Sequence, residues 1–372
     1  VNLKPWESAP ERYAELLDAK ATQVEARLAA LGAPPATRIP SPSLAYRARA
    51  EFRLWHDGDD LYYVMYDPQQ PRDPVRVDRF PVALTPIQDA MSALRDRLRD
   101  DSVLRRKLFQ VEFMASRDGE TLVTLAYHRP LDDEWETRAQ GLAADLSLSI
   151  VGRSRGRKRV IGRDHIVERV RINGETYALR QYEQAFAQPN AYVNEAMLNW
   201  AVGEVAASTA DLLELYCGNG NFTLPLARRF RSVLATELSK SGTRAAIENL
   251  RDNAVTNVAV VRLSAEEVSA ALAGERAFRR LAHLPRPLDD YRFHTVFVDP
   301  PRAGLDDATL TCVQQFAEIL YVSCNPKTLE ENLRVLRETH EIESLACFDQ
   351  FPYTPHLECA VRLARRPAPR AR

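Results

Sequence analysis

No apolar run in the 372-residue sequence is long enough to span a bilayer; the stretches around Val296 and Leu320 are far too short. The start, Val1 to Tyr13, carries Pro5, Glu7 and Glu11 and no apolar core, so it does not read as a secretory signal. These absences lead us to expect a cytoplasmic protein with no membrane partner. Cysteine is missing from everything before Cys217. The five that follow, Cys217, Cys312, Cys324, Cys347 and Cys359, include no C-x-x-C pair. Their spacing speaks against a structural zinc or iron–sulfur site and against a disulfide framework, so we expect no metal. What remains is a set of core cysteines and one reactive thiol. The formal net charge is −1, so no global basic field points to nucleic acid, and no internal repeat is visible.

The charge that is present is uneven. Eight basic residues (Arg153, Arg155, Arg157, Lys158, Arg159, Arg163, Arg169 and Arg171) face only Asp164 and Glu168 in the same stretch. Such a patch either binds phosphate or forms a solvated hairpin. The first part of the chain reads as α+β. A helical pattern over 11–31 ends at Gly32 and is followed by a Pro- and Ser-rich connector. Alternating hairpins follow at Tyr46–Trp55 with Leu61–Tyr66, and at Phe109–Ser116 with Thr121–Tyr127. A third, Arg169–Ile172 with Glu175–Leu179, turns at Asn173-Gly174. A helix over Pro86–Leu108 separates the first two. Near residue 185 the pattern changes to continuous apolar strands alternating with helices: Asp211–Tyr216, Ser232–Thr236, Val258–Leu263, Thr295–Val298, Ile319–Val322, Leu345–Phe348 and Cys359–Leu363. This predicts a doubly wound, mostly parallel sheet. We expect two domains, 1–180 and 181–372, with a loose tail from Arg365 to Arg372.

In such a sheet a ligand lies beyond the carboxyl ends of the strands, where the strand order reverses. The first strand ends in Cys217-Gly218-Asn219-Gly220-Asn221, the second at Glu237, and the fourth at Asp299-Pro300-Pro301-Arg302. The glycines allow a close backbone approach, and Glu237 can accept hydrogen bonds from ribose hydroxyls. The sixth place of the glycine motif is Thr223 rather than a third glycine. That disfavours a dinucleotide and favours a nucleoside cofactor such as S-adenosylmethionine.

Cys324 ends an apolar strand, in Val322-Ser323-Cys324-Asn325-Pro326-Lys327. Asn325 suits the cap and Pro326 the first turn of the next helix, whose dipole, with Lys327, favours a thiolate. A thiolate in the same crevice as Asp299 suits methylation of a pyrimidine. The C5 carbon of uracil is a poor nucleophile until a thiolate adds at C6. A base must then take the C5 proton, and His356 and Glu358 both lie in reach along the chain. We read Cys217 as structural and Cys312, Cys347 and Cys359 as core.

These motifs, taken together, resemble the RNA uracil-C5 methyltransferases. The likeness covers nearly the whole chain. It includes Tyr46-Arg47-Ala48-Arg49-Ala50-Glu51-Phe52-Arg53, Lys107-Leu108-Phe109-Gln110-Val111 and Gln188-Pro189-Asn190. Later segments are Leu213 to Phe222, Phe297 to Arg302, Ser323 to Pro326 and Asp349-Gln350-Phe351-Pro352-Tyr353. The resemblance implies a Rossmann-like S-adenosylmethionine-dependent methyltransferase domain with an N-terminal α+β RNA-binding domain. It implies Cys324 as nucleophile, Glu358 rather than His356 as base, and Gln188, Tyr216, Asn221, Glu237 and Asp299 at the S-adenosylmethionine site. Relatives that act on ribosomal RNA often carry an extra barrel domain and a four-cysteine cluster. The lack of early cysteines and of a spare N-terminal domain points instead to the tRNA branch, which methylates a T-loop uridine to ribothymidine. The expected partner is the tRNA T-arm, and the expected state a monomer with no obligatory protein partner.

For holding RNA, the sequence offers Arg47, Arg49 and Arg53, which alternate on one face of a predicted strand, and Phe109, placed to stack on an unstacked base. The first three are expected to contact phosphates, since three cations on one face repel unless an anion sits there. A ribosomal RNA substrate is the alternative within the class. A dinucleotide-dependent oxidoreductase and a non-catalytic RNA-binding protein are the alternatives outside it. An exocyclic amine methyltransferase would have no need of Cys324.

Overall fold

The computed structural model describes residues 3–4, 6–67 and 70–367. The end of the expected loose tail, residues 368–372, lies outside the described residues. Two compact units are formed, and they interleave along the chain. One takes residues up to 13, 42–169 and 180–192; the other takes 14–41, 170–179 and everything described from 193 on. The single cut expected at 180 is therefore replaced by several crossings.

The second unit is built on an eight-stranded sheet. Its order is Thr37–Ile39, His340–Phe348, Glu358–Arg365, Glu318–Ser323, Phe293–Val298, Asp211–Leu215, Ser232–Thr236 and Val258–Val261. Pairing is parallel except along Glu358–Arg365, which runs antiparallel to both neighbours. Asp211–Leu215 and Ser232–Thr236 are buried at every position, as strands covered on both faces must be. That is why their largely apolar runs were readable. The order reverses between Asp211–Leu215 and Phe293–Val298, which puts the expected crevice at their carboxyl ends.

Residues 14–41 join this unit for a packing reason. Helix Tyr13–Ala29 buries Leu17, Ala21, Val24 and Leu28, and Thr37–Ile39 adds a parallel edge strand, pairing Thr37 with Ala346 and Ile39 with Phe348. The tip of the third hairpin belongs here too. The Asn253 amide donates to the Ala178 carbonyl and accepts from the Ala178 N–H, both at 2.8 Å. The hairpin itself turns at Asn173 and Gly174 with φ of 48° and 84°, as Asn-Gly predicts.

The first unit is a seven-stranded sheet in the order Gln70–Arg76, Asp60–Asp67, Arg49–Asp57, Leu108–Ala115, Thr121–Tyr127, Ser149–Ser154 and Arg157–Ile161. It is antiparallel apart from the pair Thr121–Tyr127 and Ser149–Ser154, which is parallel. Helix Asp133–Leu146, unread in the sequence, makes that crossover. Its Trp135 is fully buried and lies where any side chain at Gly152 would stand: a Cβ there would come within 2.3 Å of the indole. Helix Thr85–Asp100 buries Ile87, Met91, Leu94 and Leu98. Phe52, Tyr63, Phe80 and Phe113 form an aromatic cluster in the core. Among the described residues no helix is long and apolar enough to cross a membrane.

Candidate active site

The crevice of the second unit starts with strain. Tyr216, just past its strand, has φ of 62°, followed by Gly218 at 57° and Gly220 at 84°. A non-glycine residue in the left-handed region costs free energy and persists where the surroundings require it. The turn is held from two sides. Glu237 accepts from the Gly218 N–H at 3.1 Å and from the Ser239 N–H at 2.6 Å, while Asn249 donates to the Asn219 carbonyl at 2.9 Å. The carboxylate of Glu237 thus uses one acceptor site on each oxygen and keeps others free for a ribose diol. Gly242 lets the next helix approach, since a Cβ there would stand 2.9 Å from Glu237 Cγ. Asn221 exchanges two amide hydrogen bonds, of 2.9 and 2.8 Å, with buried Asn194. Tyr216 is half-buried, and burial pushes its hydroxyl up to about 12. These residues fit a nucleoside cofactor: a glycine turn open to close approach, and a fixed acid with spare acceptors. Gln188 belongs to the first unit, half-buried in the segment whose Pro189 carbonyl accepts from the Ala48 N–H at 2.7 Å.

The thiol stands beside this crevice, and register explains its neighbours. Val298 pairs with Tyr321, and Ser323 pairs with Cys359 across the antiparallel ladder. One step further puts Cys324 opposite Glu358, with Asp299 at the end of the adjoining strand. Three acids thereby meet. Burial pushes Asp299 up to about 7 and Glu358 well above the usual carboxylate range, where the charge of Asp299 raises it further. Burial, then Glu358, then Asp299 push the Cys324 thiol above its ordinary value. The guanidinium of Arg302 opposes the shift at both Cys324 and Glu358. Asn325 caps helix Pro326–Leu336 as expected, accepting from the Lys327 N–H at 3.2 Å. The expected ease of thiolate formation is opposed here, because burial, Glu358 and Asp299 all raise the same thiol. His356 is exposed, whereas Glu358 is buried. The geometry therefore favours Glu358 over His356 as the group facing the thiol. Cys217, Cys347 and Cys359 are buried; Cys312 is only partly so.

Two further acids and bases escaped the sequence reading. Arg302 follows Asp299-Pro300-Pro301 directly, and its carbonyl is fixed by Asn325 at 3.0 Å and Thr328 at 3.2 Å. Its place in the motif was the available signal. Glu214 lies within the first strand, buried, pushed up to about 8, with Oε2 lacking a hydrogen-bond partner among the described residues. A charged residue inside an apolar strand was the signal there.

In the first unit the predicted RNA contacts divide. Arg47 precedes the strand, and its Nε donates to the Arg49 carbonyl at 2.9 Å. Arg49 forms an ion pair with Glu112 and donates to the Ala185 carbonyl at 2.8 Å. The anion that the row of cations required is thus the protein's own. Arg53 is exposed and lies 5.3 Å from the centre of the Phe109 ring, which stacks on His128 at 3.9 Å and 9°. The basic stretch is also largely spent internally. Arg153 pairs with Glu183 at 2.5 Å, Lys158 with Asp164 at 2.8 Å, Arg163 with Glu120 at 3.3 Å and Arg169 with Asp118 at 2.9 Å. Arg159 pairs with Asp133 at 3.2 Å. Arg155 and Arg157, at the hairpin turn, have no ion-pair partner among the described residues. They line a cavity of about 350 Å³ together with Phe109, Gln110, Arg153 and Gln184.

Strand order, glycine turn and anchored acid define a Rossmann-like methyltransferase fold. The sequence model of the tRNA (Uracil-5-)-methyltransferase family matches residues 12–366, and the chain belongs to that family. A tRNA/tmRNA (uracil-C(5))-methyltransferase of Aromatoleum aromaticum is 51% identical over 97% of this chain and 98% of its own length. One of Pseudomonas entomophila is 50% identical over 96% and 98%. The solved structure of Pyrococcus abyssi tRNA (uracil-54, C5)-methyltransferase in complex with S-adenosyl-L-homocysteine matches with a TM-score of 0.72 and 22% identity, over 95% of this chain and 83% of that one. At that identity the likeness concerns the fold.

Proposed function

We propose that this chain uses S-adenosylmethionine to methylate C5 of a uridine in the tRNA T-loop, through a covalent adduct of Cys324 with C6 that Glu358 resolves. Relatives named for tRNA and tmRNA support the substrate class. The observation that carries the chemistry is the pairing of Ser323 with Cys359, which sets Cys324 opposite Glu358 beside Asp299. Bound S-adenosylmethionine supplies an electrophilic methyl group on its sulfonium. Tyr216, Asn221, Glu237, Asp299 and Gln188 are the residues we assign to holding it. The Cys324 thiolate adds to C6, and the electron pair moves to make C5 an enolate carbon. C5 is then the carbon to which bound S-adenosylmethionine would give its methyl group, the S–CH3 bond breaking and S-adenosylhomocysteine leaving. The Glu358 carboxylate removes the C5 proton, the C6–S bond breaks, and the thiolate departs as the C5–C6 double bond returns.

The first unit holds the RNA in this reading. A T-loop uridine is stacked and must be flipped out for a thiolate to reach C6. Phe109, backed by His128, offers a stacking face; Arg53, Arg155 and Arg157 offer charge to phosphates. Arg47 and Arg49 shape this surface from beneath, given their internal partners.

The test uses RNA containing 5-fluorouracil, in which fluorine at C5 blocks elimination. A stable protein–RNA adduct is expected, absent in Cys324→Ala. An adduct that persists in Cys324→Ala removes that thiol from the mechanism.

A further inference from the structure

The segment Asp349-Gln350-Phe351-Pro352-Tyr353 stood out in the sequence without acquiring a role. It opens the loop between strands His340–Phe348 and Glu358–Arg365. Glu358 is the first residue after that loop, so the path of the loop sets where its carboxyl group stands. A lysine from the other end of the chain reaches it. Lys20 Nζ donates to Asp349 Oδ1 at 2.5 Å, to the Phe351 carbonyl at 3.2 Å and to the His356 carbonyl at 3.2 Å. An ammonium has three N–H bonds, and all three are used. They tie the first residues of the loop to His356, two residues before Glu358. The clamp is sheltered: the Lys20 side chain is 11% exposed and that of Asp349 1%. Helix Tyr13–Ala29 supplies it, fixed by its buried Leu17, Ala21, Val24 and Leu28. The adjoining edge strand adds one more tie, from the Asp349 N–H to the Ile39 carbonyl at 3.0 Å.

We propose that Lys20 is a positioning residue for Glu358, acting through the 349–357 loop. It rests on the reading of Glu358 as the group that takes the C5 proton. An acid that must meet one carbon tolerates little displacement, because small misplacements cost rate steeply. The ammonium fixes the loop while remaining outside the reacting atoms. Removal of Lys20 therefore slows the step that needs Glu358 and spares the step that needs only Cys324.

The experiment uses the full chain, unmodified tRNA and labelled S-adenosylmethionine, with Lys20→Met, Lys20→Arg and Asp349→Asn. In Lys20→Met, kcat is expected to fall by about 10- to 100-fold, with KM for tRNA and cofactor changed by less than about twofold. The covalent adduct should accumulate on ordinary tRNA, since its resolution is slow. Adduct formation with 5-fluorouracil RNA, which never reaches proton removal, should keep its normal rate. Lys20→Arg retains charge and donors and should recover most of the turnover. Asp349→Asn should show the same signature to a smaller degree, and keeps the test open if Lys20→Met does not fold. Normal turnover without trapped adduct in both Lys20→Met and Asp349→Asn overturns the proposal. So does an equal slowing of both reactions, which marks a general loss of structure. If the unsubstituted protein forms no 5-fluorouracil adduct, the underlying reading of Cys324 and Glu358 fails and takes this role of Lys20 with it.

Discussion

Charge is handled in opposite ways in the two units. In the first, cations are plentiful on the surface, and most are matched by nearby carboxylates: Arg49 by Glu112, Arg153 by Glu183, Arg163 by Glu120. Arg72, Arg79, Arg138, Arg155 and Arg157 are among the exposed cations that have no ion-pair partner among the described residues. In the crevice of the second unit acids are in excess. Asp299, Cys324 and Glu358 are all displaced upward, with Arg302 as the opposing charge at the last two. Exposed charges of the first kind act by number, since each neutralised phosphate adds one increment to salt-dependent affinity. Buried acids of the second kind act by changing protonation, since the low-dielectric site lets few of them ionise together. The lesson is that a count of charges in a stretch says little until burial and pairing are known.

The comparison can be broken most forcefully at Glu358. Glu358→Gln keeps the size of the side chain and removes its basicity. Turnover should drop by about 10²- to 10⁴-fold, with a methylated adduct trapped on ordinary tRNA and visible on a denaturing gel. Normal turnover there, with His356→Ala inactive, would transfer the role to His356. Next comes Phe109→Ala, which should weaken tRNA binding by about 1–3 kcal/mol while leaving the salt slope intact. Unchanged affinity would place Phe109 outside the RNA surface.

A smaller effect is expected from Arg302→Met. The Cys324 thiol already sits above its ordinary value, so its thiolate fraction, and with it the rate of 5-fluorouracil adduct formation, rises with pH through the neutral and alkaline range. Arg302 favours the thiolate. Its loss moves the thiol further up and shifts this profile to higher pH; a shift of one unit lowers the rate at neutral pH by about tenfold. A profile that stays in place would show that Arg302 does not act on Cys324. The smallest effects belong to the surface. Arg155→Ala and Arg157→Ala should each reduce the salt slope of tRNA binding by about one. Arg49→Ala should leave that slope unchanged and lower stability instead, because it strands buried Glu112. A reduced slope in Arg49→Ala would restore the simpler picture of the strand as a row of phosphate contacts.

Much of the crevice was legible along the chain. Strands buried on both faces are written as largely apolar runs, so Ser232–Thr236 was readable end to end, and with the strand ends came Glu237, Asp299 and Cys324. The first unit was harder. Helix Asp133–Leu146 and strand Gln70–Arg76 passed unread, the latter because it is polar and mostly exposed. Arg47 and Arg49 were taken for free cations because alternation reveals a shared face and nothing about what lies across it. Glu112 comes from the neighbouring strand, where the register sets it against Glu51. Several of the basic residues over 153–171 likewise find partners outside that stretch, among them Glu120, Asp133 and Glu183.

The sequence by itself determined the order of the strands from Asp211 onward, the turn residues, and which chemical groups end each of those strands, because these follow from local pattern and backbone preference; the edge strand Thr37–Ile39 fell in a stretch that reads as a connector. Only the tertiary structure decided which of those groups stand together and which way burial moves each of them. Antiparallel register sets Cys324 opposite Glu358, and burial raises both. Lys20 meets Asp349 across 329 residues of chain, a contact that exists only because an N-terminal helix and strand dock on the sheet edge. Burial and register are properties of distant segments brought together, so local pattern carries no trace of them.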